Sequence, residues 1–123
     1  MAAIRAARAF TGKQNIIKIG GAYHGWSDQV VYGLRIPGTG SLEAVGIPAG
    51  ALSATSEIVP GDLGALRVKL AANAEAGGTA AVILEPVGPE SGSHPVERDF
   101  NAGESGDSQL FAIHVPLSKK NPA

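Results

Sequence analysis

Two short groups of residues have the types and placement that could do chemistry. Tyr23-His24-Gly25 follows the β-branched run Asn15–Ile19, and Glu85 follows the apolar run Ala80-Ala81-Val82-Ile83-Leu84. If both runs are strands of one parallel sheet, both groups stand at the carboxyl ends of strands. That is where open α/β sheets gather their ligands. Both groups would then face the same crevice. Each group also has a plainer reading. Tyr23 and His24 either fill a loop or line a site, and Gly25 lets a ligand approach the backbone. Glu85 is either a solvated strand-end acid or a carboxylate in buried surroundings that requires a partner.

Other constellations lead nowhere. His24, His94 and His114 lack metal-ligand spacing and read as exposed or loop histidines. His24 and Asp28 are four apart, but no nucleophile sits in an elbow, so a hydrolase triad is not expected. Gly38-Thr39-Gly40 follows no strand and lacks the rest of a dinucleotide fingerprint. Gly12-Lys13 lacks the preceding glycine of a phosphate loop. Trp26, the single tryptophan, reads as a packing anchor.

The elements that must position these groups follow from pattern. Ala2 to Phe10 is a run of helix formers, with Gly12 as a stop. Its Arg-bearing, acid-free character is shared by transit segments, but a strand pattern follows at once and the run reads as a helix of the fold. Asn15–Ile19 reads as a strand that ends at Gly20-Gly21. Ala22 to Asp28 is a polar-aromatic loop or helix start. Residues 33–56 are rich in Gly, Pro, Ala and Ser, without a period, and read as a long loop. Ile58-Val59 is a weak strand. Pro60-Gly61-Asp62 is a turn with Asp62 as N-cap, and Leu63, Leu66, Leu70 and Ala74 recur at helical spacing up to Gly77-Gly78. Ala80–Leu84 is apolar without alternation, as in a strand buried on both faces. Helix, strand, loop, strand, helix, strand is α/β order. Leu110 to Val115 is a further strand candidate that Pro116 stops, in a tail otherwise expected to be disordered.

Composition narrows the class. The chain has 123 residues, 44% hydrophobic and 17% charged, which fits one domain at most. Gly 17 and Pro 8 make up about a fifth of it, and aromatic residues only 5%. Net charge is −1 with no basic block, which argues against a nucleic-acid partner. No apolar run approaches the ~20 residues of a membrane span. The absence of Cys excludes disulfides and thiolate chemistry, and fits a cytoplasmic protein.

Together, Ala3 to Gly12, Ile16-Ile17-Lys18, Tyr23 to Asp28, Gly46-Ile47-Pro48-Ala49-Gly50 and Ala81 to Val87 resemble the class III aminotransferases, in particular the glutamate-1-semialdehyde aminomutase branch. The similarity runs from about Ala2 to about Gly103. It implies part of the large domain of a fold-type I transferase: a mostly parallel sheet with covering helices that binds pyridoxal 5'-phosphate (PLP), in a homodimer acting on small amino and keto compounds. It also implies that Tyr23 stacks on the pyridine ring, that His24 and Gly25 belong to the same wall, and that Glu85 lies beside the cofactor. Stacking holds the ring plane on which the cofactor's electron-sink chemistry depends.

The resemblance has gaps. The family's phosphate loop precedes the helix with which this chain begins. The aspartate that pairs with the pyridine nitrogen should follow Glu85 in a further strand. None of Lys13, Lys18, Lys69, Lys119 or Lys120 stands where the Schiff-base lysine is expected. The expectation is therefore a fragment, residues 1–103, followed by an unrelated tail over 104–123. Such a fragment is inactive alone, or else is an interaction module that pairs with a related subunit through its sheet edges.

Overall fold

The structure is a computed structural model that describes residues 1–36, 40–42, 44–84 and 111–114, with side chains described for 1–33 and 44–84. Among the described residues nine elements run in order: α1 (Ala2–Thr11), β1 (Asn15–Ile19), β2 (Leu34–Ile36), β3 (Gly40–Leu42), α2 (Ala49–Leu52), β4 (Thr55–Ile58), α3 (Leu63–Ala74), β5 (Thr79–Leu84) and β6 (Phe111–His114). Four of them form one sheet in the order β4-β1-β5-β6, and every adjacent pair is parallel. The condition on which the strand-end reasoning rested is therefore met: β1 and β5 are parallel neighbours.

Alternation along β1 divides the core, because successive side chains point to opposite faces of a sheet. Ile16 turns to one face and packs with Ile4 and Ala7 of α1 and with Val30, Ala81 and Ile83. Ile17 and Ile19 turn to the other and pack with Ile58, Val82, Leu84 and Leu66 of α3. All six residues of β5 are buried, as a central strand covered by helices on both faces requires. Leu66 is buried and Leu70 packs at the cluster's edge, so α3 is the covering helix that its leucine spacing predicts.

The ends of the helices follow local chemistry. Gly12 ends α1 in a left-handed conformation, its N–H donating to the Arg8 carbonyl at 2.9 Å. Asp62 caps α3 by accepting from the Ala65 N–H at 2.8 Å. After α3, Asn15 Nδ2 donates to the carbonyls of Ala76 and Gly78, which ties the turn into β5 to the start of β1. Buried Asn73 donates to the Thr79 hydroxyl at 2.8 Å, so its amide is not stranded in the core.

Four expectations change. Residues 33–56 are not one unpatterned loop: they contain the antiparallel pair β2–β3, the short helix α2 and the start of β4. Polar Thr55, Ser56 and Glu57 hid β4, which begins three residues before Ile58. Trp26 anchors nothing in the core, being 84% exposed. Phe111–His114 lies within the Leu110–Val115 strand candidate and pairs in parallel with Ala81–Leu84, so this part of a tail otherwise expected to be disordered is strand. Pairing with β5 gives that segment a ladder which no sequence pattern links to it.

Candidate functional site

Beyond β1 the chain makes a compact loop over residues 21–33 that returns to its own start. The Gly21 N–H donates to the Gly33 carbonyl at 3.2 Å, which closes the base. Within it, the N–H groups of Val30 and Val31 both donate to the Ser27 carbonyl. Val30 and Val31 are buried and pin the returning limb. On the outer flank Arg8 donates to Gln29 at 2.9 Å and to the Gln14 carbonyl at 2.8 Å. Loops of this closed kind are often functional.

The loop carries Tyr23, His24 and Gly25 at the carboxyl end of β1, where the sequence places them. Tyr23 is partly exposed and meets Trp26 edge to face, ring centroids 6.3 Å apart. Gly25 has φ +98°, a conformation that side-chain-bearing residues rarely adopt. Both ring nitrogens of His24 are buried and make no hydrogen bond of ordinary geometry. Burial pushes its pKa down to about 4, Lys18's positive charge adds to this, and the Ile19 backbone opposes it weakly. At neutral pH His24 is therefore a neutral imidazole, with one N–H donor and one bare nitrogen. His24 and Asp28 are not paired on a helix, because the segment between them is not helical. Glu85 lies one residue beyond the described part of β5, outside the described residues, as does His94.

Beneath this loop is a polar cluster that the sequence reading missed. Lys18 lies on the face of β1 opposite Ile17 and Ile19, with a relative exposure of 0%. Its partner in register on β4 is Glu57. Lys18 Nζ stands 3.1 Å from Glu57 Oε2, donates to the Tyr32 carbonyl, and lies 4.5 Å from the centre of the Tyr32 ring. Burial lowers the Lys18 pKa, while the hydrogen bond and charge of Glu57 hold it up. Burial, with the Glu57 charge behind it, pushes the Tyr32 hydroxyl up to about 12. Two glycines make room for the acid. A Cβ on Gly20 would stand 2.7 Å from Glu57 Oε1, and one on Gly33 would collide with Oε2. Alternation on β1 and a cross-strand acid were the available signals, but Ser56-Glu57 did not read as strand.

Among the described residues no group of His, Asp or Glu is placed to hold a metal ion. No described helix is long and apolar enough to cross a membrane. A groove of about 350 Å³ lies on the loop's outer flank, lined by residues that include Arg8, Asp28, Gln29 and Ala51 but neither Tyr23 nor His24. It is separate from the strand-end site.

No protein-family model matches the chain. It is 37% identical over 105 residues to a glutamate-1-semialdehyde 2,1-aminomutase of Citrifermentans bemidjiense, covering 84% of this chain and 24% of that protein. Among solved structures it superposes on a transaminase with PLP bound, with a TM-score of 0.75 and 30% identity, over 93% of this chain and 27% of the other. An omega-transaminase from Sphaerobacter thermophilus matches equally well in fold, with a TM-score of 0.75 and 26% identity, covering 93% of this chain and 28% of that one. The chain thus spans about a quarter of the length of the curated relatives it matches.

Proposed function

We propose that this chain, which corresponds to one segment of the PLP-dependent aminotransferases and aminomutases, supplies one wall of a PLP site. The observation that carries the reading is positional. The parallel neighbours β1 and β5 end at the same edge of the sheet, the loop after β1 carries Tyr23-His24-Gly25 there, and Glu85 is the next residue in sequence after β5. The described residues fit a flat, polar heteroaromatic. Tyr23 offers a ring that the core does not consume, and beside it the His24 ring nitrogens make no hydrogen bond of ordinary geometry.

When bound, PLP supplies the electron sink that lets an amino group move between small amino and keto compounds. The roles left to this chain are binding and orientation. Tyr23 holds the plane of the ring by stacking. His24, kept neutral, can donate one hydrogen bond and accept another without adding charge at the wall. Gly25 keeps the backbone open to close approach. Glu85, next in sequence after β5, is the acid that the resemblance implies beside the cofactor. In an intact assembly the wall faces a homodimer interface. The wall alone does not complete amino transfer, because no lysine in the described segment stands free beside it: Lys18 is committed to Glu57 and Tyr32.

Incubation of the purified chain with PLP, then borohydride and peptide mapping, tests this. Reversible binding without a stoichiometric adduct is expected. A stoichiometric adduct at one lysine would show that the chain carries its own reactive amine and overturn the reading of a partial site.

A further inference from the structure

Lys18 is the one lysine of the described residues that is fully buried, and nothing in the cofactor reading uses it. Its three engagements come from three segments. Glu57 belongs to β4, the Tyr32 carbonyl and ring belong to the returning limb of the loop, and Lys18 itself belongs to β1. The ammonium therefore joins the sheet to the loop at its base, close to the Gly21–Gly33 hydrogen bond. A charge taken out of water is stable only when paired and hydrogen-bonded. If the loop lifts away, Lys18 loses Tyr32 while remaining over an apolar sheet. This penalty opposes opening. The absence of side chains at Gly20 and Gly33 allows the Glu57 carboxylate to sit under the base.

We infer that Lys18 is a positioning residue: with Glu57 and the Tyr32 carbonyl it forms a buried latch that fixes the 21–33 loop, and so Tyr23 and His24, at the carboxyl edge of the sheet. The importance of that placement for PLP rests on the proposed function. The latch itself does not. The charged and titratable groups facing the latch from the packed elements are Glu57 on β4, Tyr32 on the returning limb and His24 on the outgoing limb. The Lys18 charge thus adds to the burial that keeps the imidazole neutral.

The test uses the full chain without cofactor, as wild type, Lys18→Met and Glu57→Gln. Amide exchange is read at Gly21, Val30 and Val31, whose N–H groups hold the loop, and at Leu66 and Val82 in the core. The latch predicts that loop protection falls about tenfold or more in Lys18→Met relative to the core amides, as expected of local opening. It also predicts that His24 titrates at higher pH in Lys18→Met, by NMR of the ring, once the neighbouring charge is gone. In Glu57→Gln, which keeps an acceptor, the loop loses protection less than in Lys18→Met. If Lys18→Met does not fold, the inference stands or falls on selective loop exchange in Glu57→Gln. Equal loss at loop and core, or an unchanged loop with unmoved His24, overturns the latch. Failure of wild type to bind PLP sinks the proposed function and leaves the latch to the exchange data.

Discussion

Replacing Glu57 by Gln keeps size, shape and an acceptor oxygen, and removes only the charge opposite Lys18. At the observed 3.1 Å and an effective dielectric of about 20, the direct attraction is about 5 kcal/mol. Breaking a buried pair by removing one partner costs about 3–5 kcal/mol in other proteins. Here Glu57 is 27% exposed, so water already screens its end of the pair and the loss falls below that range. The expectation is roughly 2–3 kcal/mol at pH 7, a decrease of about 30- to 150-fold in the folding equilibrium constant. The folded-state pKa of Lys18 lies below its ordinary 10.5, so in the window between the two values the unfolded chain holds more protons and stability rises with pH. Removing Glu57 takes away what holds that pKa up and opens the window at lower pH. The gap between variant and wild type therefore narrows as pH rises. Urea unfolding followed by circular dichroism at pH 7 and pH 10 measures both quantities. Lys18→Met combined with Glu57→Gln should be more stable than Glu57→Gln alone, because no unpaired charge remains. A loss under about 0.5 kcal/mol, the range of ordinary surface changes, or a gap that widens with pH, would refute the reasoning.

Other perturbations probe other parts of the fold. His24 should make stability pH-dependent in a stated direction: with its folded pKa at about 4 against an ordinary 6.5, stability is full above 6.5 and is lost as pH falls through the window, and His24→Gln should flatten that slope in acid titrations followed by near-UV circular dichroism. Asp62→Ala removes the only side-chain cap of α3 and should cost about 1 kcal/mol in urea melts. Leu66→Ala leaves a cavity between α3 and the sheet and should cost about 2–5 kcal/mol, with the larger values if the site cannot collapse. Gly20→Ala should displace the Glu57 carboxyl from under the loop and reproduce much of the Glu57→Gln loss, measured the same way.

Where the sequence pattern was strong, the fold followed it. Ile16, Ile17 and Ile19 specify β1, the unbroken apolar run specifies a two-faced β5, and Asp62 with the leucine spacing specifies α3. The placement of Tyr23 and His24 at a strand end needed only the boundaries of β1 and its parallel pairing with β5. What stayed hidden depended on tertiary contacts. Thr55-Ser56-Glu57 is polar because one of its residues answers a buried cation, so β4 did not look like a strand. Nothing in the sequence pairs Lys18 with Glu57 or Tyr32, which the fold brings to it from β4 and the returning limb of the loop. Trp26 misled for the opposite reason: a large ring predicts burial, but the closed loop presents it outward beside Tyr23. Phe111–His114 carries too short an apolar run to reveal that it extends the sheet next to β5.

The central claim is that the loop after β1 is a cofactor wall with Tyr23 as its ring-stacking face. Equilibrium dialysis of PLP against the full chain, as wild type and Tyr23→Ala, tests it most directly. The account predicts saturable binding by wild type and roughly two- to tenfold weaker binding by Tyr23→Ala, the worth of one aromatic stacking contact. No saturable binding by a folded wild-type chain, or equal affinity in the two proteins, would contradict it.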